Sequence, residues 1–261
     1  MNIILFISGI ADSKWPPPAL QLDQQAAGSA VAAPPRKLSP FDESALECAL
    51  KIRDADAQTR ISVFVVGAPV PESLLRTVAS FRLDRVTGLT VVEPELWDAR
   101  SLARRFRDVL ARQSETTDLV LIGREFGDFD DGLLAPYLAE VLRLPFVGLA
   151  QEVQCDAGEW VFFRERGDIE ERIRLRPAAL ASITNDKRNR LRFPLMKNIA
   201  AAKKAAFVVD DTGPGSDARV RLLSAAVRAV SGQQDGCRML AGPIEAQAAE
   251  LSALLLSRVK A

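Results

Sequence analysis

The sequence predicts an α/β fold in which helices cover both faces of a doubly wound, mostly parallel sheet. Several short runs are mostly apolar, which is typical of strands buried on both faces. The segments between these runs repeat apolar residues at helical spacing. Strand and helix patterns alternate along the first half of the chain, as right-handed crossovers between parallel strands require. The four apolar runs are Asn2–Ser8, Ile61–Val66, Val86–Val92 and Leu119–Ile122.

The first strand is followed by a turn at Gly9–Asp12 and then by a long excursion. Residues 13–38 are rich in Pro, Ala and Gln, and Pro removes the backbone donors that a helix interior or a central strand needs. The sequence then predicts a helix that begins at Ser39. Ser39 suits the N-cap, Pro40 the first helical position, and Asp42 the positive end of the helix dipole.

Two further helices and an acidic loop follow. Pro71–Phe81 and the arginine-rich Leu96–Gln113 have helical spacing, and we expect the arginines to form a solvent-exposed face. The fourth strand ends at Gly123, and Arg124–Asp131, with three Asp residues, form a loop that we call the acidic loop. The next helix is predicted to begin near Asp130 or Asp131. Ligands of open parallel sheets bind at the carboxyl ends of strands, where helix N-termini present N–H groups to anions. A nucleotide would therefore bind at this loop.

The second half of the chain has a different pattern. Three runs separated by turn residues predict an added antiparallel meander, and one further apolar strand, Pro177–Thr184, follows it. The three runs are Val147–Val153, Trp160–Glu165 and Glu171–Leu175. Phe207–Asp211 is predicted to leave the core. Helical periodicity at Ala218–Val230 and Pro243–Val259 predicts a C-terminal helical arm.

The composition excludes several classes of function. The chain has 261 residues with 34 basic and 34 acidic side chains, so bulk charge does not favour nucleic-acid binding. It contains no histidine, which removes His-based catalysis and most zinc and haem sites. The cysteines Cys48, Cys155 and Cys237 lack the spacing of metal ligands. No apolar run is long enough for a membrane span and no secretory signal is visible, so we expect a soluble protein of a reducing compartment.

Several stretches resemble one known family in order and spacing. They are Ser39-Pro40-Phe41-Asp42-Glu43, Glu72–Asp84 with Arg85, Asp118–Gly123 with the acidic loop, Pro177–Thr184 and Phe193–Lys204. Over residues 1–204 the chain resembles a divergent member of the electron transfer flavoprotein beta subunit family and its FixA-like relatives. The resemblance implies a Rossmann-like, adenine-nucleotide-binding domain over residues 1–204. Residues 205–261 would be a C-terminal arm that packs on the alpha subunit.

In that family the alpha subunit holds the redox-active FAD, and the beta subunit supports it while binding a structural AMP. The resemblance therefore implies one half of a heterodimeric electron carrier, with no catalytic residues of its own. The pair would take electrons from a flavin-dependent dehydrogenase and pass them to a quinone reductase or a similar acceptor. The expected location is the bacterial cytoplasm, or the mitochondrial matrix if the source is eukaryotic.

The resemblance also implies which residues bind cofactors. The nucleotide crevice would contain Phe6, Ser39, Pro40, Phe41, Asp42, Val66, Gly123, Asp128, Asp131, Gly132, Leu133 and Leu134. Phe41 and Trp15 would lie near the FAD of the partner. Relatives carry Asn-Gln-Thr-Gly where residues 132–135 are Gly-Leu-Leu-Ala, so the hydroxyl that receives the AMP phosphate is missing. The acidic residues of the loop would also repel a phosphate if they faced it. We therefore hypothesise that AMP binding is weakened or lost.

Leu195 and Met196 are the candidate docking residues. In relatives this place is a protruding loop whose Leu enters an apolar pocket on the dehydrogenase. Alternatively, both side chains pack the first turn of a helix over residues 196–203.

Two other functions of the chain stay open at this point. One is an enzyme that acts on adenine nucleotides, although no Gly-rich phosphate motif follows a strand. The other is an assembly scaffold without a redox role.

Overall fold

The computed structural model describes residues 1–14, 35–130, 132–211, 219–220, 223 and 239–259, with residues 258 and 259 described by their backbone alone. In chain order its strands and α-helices are β1 (Asn2–Ile7), β2 (Ile10–Ala11), β3 (Arg36–Lys37), α1 (Pro40–Ala55), β4 (Arg60–Gly67), α2 (Glu72–Ala79), β5 (Arg85–Thr90), α3 (Ala99–Ala111), β6 (Leu119–Gly123), α4 (Leu134–Leu142), β7 (Phe146–Ala150), β8 (Glu152–Asp156), β9 (Glu159–Arg166), β10 (Ile169–Leu175), β11 (Ala179–Ile183), α5 (Met196–Lys204), β12 (Val208–Asp210) and α6 (Ile244–Val259). Short 3₁₀ helices lie at Glu93–Trp97 and Lys187–Asn189.

Seven strands form one parallel sheet in the order β12-β5-β4-β1-β6-β11-β7. This confirms the predicted doubly wound α/β fold. The central strand β1 pairs with β4 on one side and with β6 on the other, so the direction in which strands are added reverses there. At such a reversal the connections leave on opposite faces of the sheet and open a crevice at the carboxyl ends of the strands.

Helices cover both faces of the sheet, and each face has its own apolar core. Leu46 of α1 and Leu74 of α2 pack with the inward side chains of one face, and Trp160 and Phe162 of β9 belong to the same cluster. On the other face, α3 and α4 pack Phe106 and other apolar side chains against the sheet. Because the central strands are buried on both faces, they carry apolar residues at most positions rather than at alternate ones.

The start of α1 confirms the local prediction. The N-cap Ser39 accepts a hydrogen bond at its Oγ from the backbone N–H of Asp42, at 2.9 Å. The carboxylate of Asp42 accepts in return from the N–H of Ser39, at 3.0 Å. Pro40 is the first helical residue, where its missing N–H costs nothing. These reciprocal bonds form a capping box and fix the residue at which the helix begins.

The predicted run Val147–Val153 is wrong as a single meander strand, because the chain divides it between two sheets. Its first part belongs to β7, which pairs in parallel with β11 at the edge of the main sheet. Leu149 has a positive φ of 61°, and Gln151 separates β7 from β8. The antiparallel meander is therefore β8-β9-β10, in agreement with the predicted class of structure but with a later start.

The prediction for Phe207–Asp211 lacks a strand, although Val208 and Val209 are exposed, as expected for a segment that leaves the core. Residues 208–210 form β12, the edge strand of the main sheet, in parallel register with β5. Arg112 forms an ion pair with Asp210, with Nη2 2.7 Å from Oδ2. A Cβ built on Gly88 would lie 3.1 Å from a side-chain carbon of Val209. The glycine in β5 thus lets the edge strand lie close.

Two details of the helices on the second face differ from prediction. Arg105 of the arginine-rich helix is buried, not part of a solvated face, and donates a hydrogen bond to the carbonyl of Thr90 at 3.2 Å. The helix predicted to begin near Asp130 begins at Leu134 instead. The carboxylate of Asp130 lies just upstream and caps that helix.

The ends of the long excursion are anchored to each other. Ile10–Ala11 (β2) pairs with Arg36–Lys37 (β3) in a two-stranded antiparallel ladder, where the sequence predicted a turn at Gly9–Asp12. Most of the excursion, and most of the predicted helix over 218–230, lies outside the described residues.

The chain divides into two compact units, one of residues 1–225 and one of residues 226–261, which contains α6. No helix in the described part of the chain is both long and apolar enough to cross a membrane.

Candidate functional site

The carboxyl ends of β1 and β6 meet the N-terminus of α1 at one edge of the sheet. Gly9 follows β1 and has a φ of 63°, a conformation that a side chain would disfavour. Any Cβ at Gly9 would lie 2.6 Å from the carbonyl oxygen of Lys37, so only glycine allows β3 to pass so closely. At this edge the structure brings together the predicted residues Ser39, Pro40, Phe41, Asp42 and Gly123.

Asp42 joins the central strand to α1. Its Oδ2 accepts hydrogen bonds from the N–H of Gly9 at 3.1 Å and from the N–H of Ser39 at 3.0 Å. The side chain is fully buried, and within the described residues its Oδ1 has no hydrogen-bond partner. Burial raises the pKa of Asp42 to about 6, although the N–H groups around it favour the ionised form.

Arg36 of β3 organises the same edge and was not predicted as a site residue. Its Nη2 donates to the carbonyl of Gly9 at 2.7 Å, and its Nε donates to the carbonyl of Ser8 at 3.2 Å. Its Nη1 forms an ion pair with Asp128 of the acidic loop at 2.9 Å. The one sequence signal was a basic pair, Arg36-Lys37, next to the capping box and opposite in charge to the acidic loop.

Phe41 lies against the end of β6. A Cβ at Gly123 would be 2.9 Å from the Cβ of Phe41, so the glycine makes room for this ring. Phe41 is half-buried, which leaves part of it accessible at the edge of the sheet. Pro40 beside it is exposed. Trp15, the other residue predicted to lie near a flavin, falls outside the described residues.

Two predicted crevice residues belong to the apolar interior. Phe6 is 1% exposed, and its ring stacks on Phe106 with a centroid distance of 3.9 Å and on Phe64 at 5.3 Å. Phe126 of the acidic loop meets Phe106 edge to face at 5.5 Å and is also buried. Val66 has no exposed surface. A row of aromatic rings thus fills the space beneath the acidic loop.

The acidic loop uses its own carboxylates for internal contacts. Oδ1 of Asp130 accepts hydrogen bonds from the N–H groups of Leu133 at 2.9 Å and Leu134 at 3.2 Å. Burial raises the pKa of Asp130 above its usual range, and these N–H groups oppose that rise. Asp128 accepts from the N–H of Ala11 at 3.0 Å in addition to its ion pair. Asp131 lies outside the described residues.

The side chains at the start of α4 are mostly apolar. Leu134 is fully buried, whereas Leu133 is 55% exposed, and Gly132 has a φ of 105°. Leu133 occupies the N-cap position, where a leucine cannot accept a hydrogen bond, so Asp130 provides the cap from three residues upstream.

The second predicted site lies at the start of α5. We call residues 193–196, Phe193-Pro194-Leu195-Met196, the docking segment. Phe193 is 89% exposed, Leu195 60% and Met196 79%. Leu195 is the N-cap of α5 and Met196 its first residue. Exposed apolar side chains side by side favour a contact with another molecule, because each gains free energy only when it is buried.

The described residues show little other chemistry. Burial raises the pKa of the Cys48 thiol to about 12, so this cysteine stays protonated at neutral pH. Within the described part of the chain no cluster of His, Cys, Asp or Glu side chains is arranged to hold a metal ion.

Comparison with known proteins identifies the family. Residues 29–212 match the family model described as the electron transfer flavoprotein domain, which covers more than half of the chain. The chain belongs to this family. It is 27% identical over 188 residues to the electron transfer flavoprotein subunit beta of Syntrophomonas wolfei, which covers 71% of each chain. It is 24% identical over 231 residues to the subunit of the same name from Bacillus subtilis, which covers 85% of this chain and 87% of that one.

A third relative belongs to a named complex. The chain is 27% identical over 138 residues to the caffeyl-CoA reductase-Etf complex subunit CarD of Acetobacterium woodii, which covers 51% of each chain. The matches confirm a beta-type electron transfer flavoprotein subunit. They give this chain an electron-transfer role together with an alpha partner, in a family associated with flavin.

Proposed function

We propose that the chain supports an FAD held mainly by an alpha subunit, receives a flavin-dependent dehydrogenase at the docking segment, and delivers electrons to a quinone reductase or a similar acceptor. The bound flavin would supply all of the redox chemistry. This chain would supply the surface that orients it. Membership of the family supports the electron-transfer role, and the half-exposed Phe41 beside Gly123 is the residue proposed to face the flavin.

The exposed docking segment is the observation on which the dehydrogenase contact rests. Leu195 and Met196 together present apolar surface with no covering element in the described structure. Burial of one such side chain on docking is worth roughly 1.5–3 kcal/mol, or about ten- to a hundred-fold in affinity. Met can adapt to pockets of different shape, which suits a carrier that meets more than one partner.

An ion-pair cluster fixes the chain just before the docking segment. The guanidinium of Arg192 pairs with Glu47 of α1 at 2.7 Å and with Asp54 at 2.6 Å. The backbone N–H of Arg192 also donates to Glu47 at 3.1 Å. Glu47 is buried and Arg192 is 39% exposed, so the pair is shielded from solvent only on the side of Glu47. A segment that is already ordered loses less entropy when a partner binds.

A groove of about 460 Å³ borders the docking segment. Its lining is mixed in character, with the apolar side chains of Leu50, Phe81 and Leu195 and the basic residues Arg53, Arg82 and Arg192. The groove offers room for a partner side chain next to Leu195. The relative CarD is, by its name, part of a complex with a caffeyl-CoA reductase, which supports a proposed partner that acts on an acyl-CoA substrate.

The test is the double variant Leu195→Ala, Met196→Ala in the heterodimer. We expect electron transfer from the cognate dehydrogenase to fall about ten- to a hundred-fold at low carrier concentration, because the buried apolar contact is lost. FAD content should not change. Stopped-flow reduction of the heterodimer by the dehydrogenase measures the rate.

Ile169→Ala is the matched control, since Ile169 is 64% exposed on β10, away from the docking segment. It should transfer electrons at the wild-type rate. Wild-type rates in the double variant would contradict the proposed docking role.

A further inference from the structure

The family implies a structural AMP at the acidic loop, and the residues present do not fit its phosphate. A phosphate at this place would need unpaired N–H groups at the start of α4. The N–H groups of Leu133 and Leu134 already donate to Oδ1 of Asp130, at 2.9 and 3.2 Å. A carboxylate of the chain itself therefore occupies the place of an external anion.

The cation beside the loop is also engaged. Arg36 pairs with Asp128 at 2.9 Å and donates its other N–H groups to the carbonyls of Ser8 and Gly9. An incoming phosphate would have to displace Asp128 from Arg36 and Asp130 from α4, and both carboxylates would then repel it. No hydroxyl compensates, since residues 132–135 are Gly-Leu-Leu-Ala.

Buried aromatic rings of the described residues fill the interior beneath the loop. Phe6 stacks on Phe106 with a centroid distance of 3.9 Å, and Phe126 meets the same ring at 5.5 Å. All three rings are at most 3% exposed. Because protein interiors are close-packed, a further aromatic ring could enter only by displacing one of them.

We propose that this chain has replaced the structural nucleotide by internal contacts: the Asp130 carboxylate occupies the N-terminus of α4, the aromatic row fills the interior, and the heterodimer assembles without AMP. The acidic loop is then held by Asp128, Asp130 and Arg36, and its stability does not depend on the supply of a nucleotide.

The first test measures cofactor content. The heterodimer is purified, denatured by heat, and the released FAD and AMP are quantified by chromatography. We expect FAD without a matching amount of AMP, and no rise of Tm when AMP is added to the intact heterodimer. AMP equal in amount to the protein, or a saturable rise of Tm with AMP, would overturn the proposal. A heterodimer without FAD would count against the proposed function. The AMP content would still decide whether the structural nucleotide has been lost.

The second test concerns the internal anion. Asp130→Ala should lower Tm by about 2–4 °C, because α4 loses the acceptor for its first N–H groups. Asp130→Asn should lower it less, since an amide oxygen can still accept. Asp168→Ala, in the exposed turn between β9 and β10, is the control and should melt with the wild type. An Asp130→Ala protein that melts at the wild-type temperature would overturn the assignment of Asp130 as the capping anion.

Discussion

At the scale of single residues, Asp42 makes stability depend on pH. Its pKa of about 6 in the folded chain lies above the ordinary value of 3.8, so the folded state holds a proton that the unfolded state releases. Between these values stability falls as pH rises, and the full effect of a shift of this size is about 3 kcal/mol. We expect the wild type to lose stability relative to Asp42→Asn between about pH 4 and pH 6.5.

The measurement is the free energy of unfolding in urea at several pH values, taken as the difference between wild type and variant so that other carboxylates cancel. Asp168→Asn, at an exposed turn, controls for the general effect of replacing a carboxylate by an amide. A difference between wild type and Asp42→Asn that stays constant across this range would contradict the raised pKa.

The sequence predicts the role of a residue when the partners of that residue are close to it along the chain. Ser39 was predicted as the N-cap and Asp42 as an acidic residue of the first turn, because both signals lie within four consecutive residues. The capping box that joins them is a finding of the structure. The role of Arg36 was missed because its partners Ser8, Gly9 and Asp128 lie far away along the chain. The sequence identifies Asp130 only as a charge that would repel a phosphate if it faced one, because it does not say which N–H groups the carboxylate faces.

At the scale of elements, the contact between Glu47 on α1 and Arg192 ties a helix to the docking segment. Arg192→Ala would leave the buried Glu47 carboxylate without its guanidinium, and we expect a loss of about 1–3 kcal/mol in the free energy of unfolding. Arg192 is 39% exposed, so the loss should lie below that of a fully buried pair. Glu47→Ala combined with Arg192→Ala should cost less than the sum of the two single changes.

Urea unfolding of the four proteins gives the coupling energy of this pair. Arg166→Ala is the matched control, because Arg166 is 67% exposed and its ion pair with Glu171 spans 3.6 Å. That change should alter stability by less than about 1 kcal/mol. Additive effects of Glu47→Ala and Arg192→Ala would mean that the buried ion pair does not hold the segment.

Elements with a strong internal pattern were predicted well, and elements defined by their neighbours were not. The parallel strands β1, β4 and β6 follow from unbroken apolar runs. The division of 147–153 into β7 and β8 could not be predicted, because one residue, Gln151, separates strands of two different sheets. β12 was missed since it is three residues long, with two of them exposed, and only its position beside β5 makes it a strand.

At the scale of the whole molecule, the C-terminal unit contains a helix, α6, whose apolar side chains are exposed. None of the described side chains of α6 is buried. Ile244, Leu251, Leu254 and Leu255 recur at helical spacing and are between 43% and 74% exposed. A helix with such a stripe gains little from folding alone and gains more when a partner covers the stripe. The sequence predicted an arm over residues 205–261, but residues 208–210 belong to the main sheet as β12. We propose that the C-terminal unit, residues 226–261, is the arm that packs on the alpha subunit.

The proposal predicts that assembly and folding respond differently to changes on α6. Leu251→Ser, Leu254→Ser and Leu255→Ser together should leave the melting temperature of the isolated chain unchanged, because these side chains are exposed there. The same triple variant should weaken binding to the alpha subunit by at least about a hundred-fold, since each lost apolar contact costs about 1 kcal/mol or more. Glu245→Ala with Ser252→Ala changes the same helix without removing apolar surface, and it should bind as the wild type does. Calorimetric titration with the separated alpha subunit measures the affinity of the triple variant and of this control. Equal affinities for the triple variant and this control would place the subunit contact elsewhere on the chain.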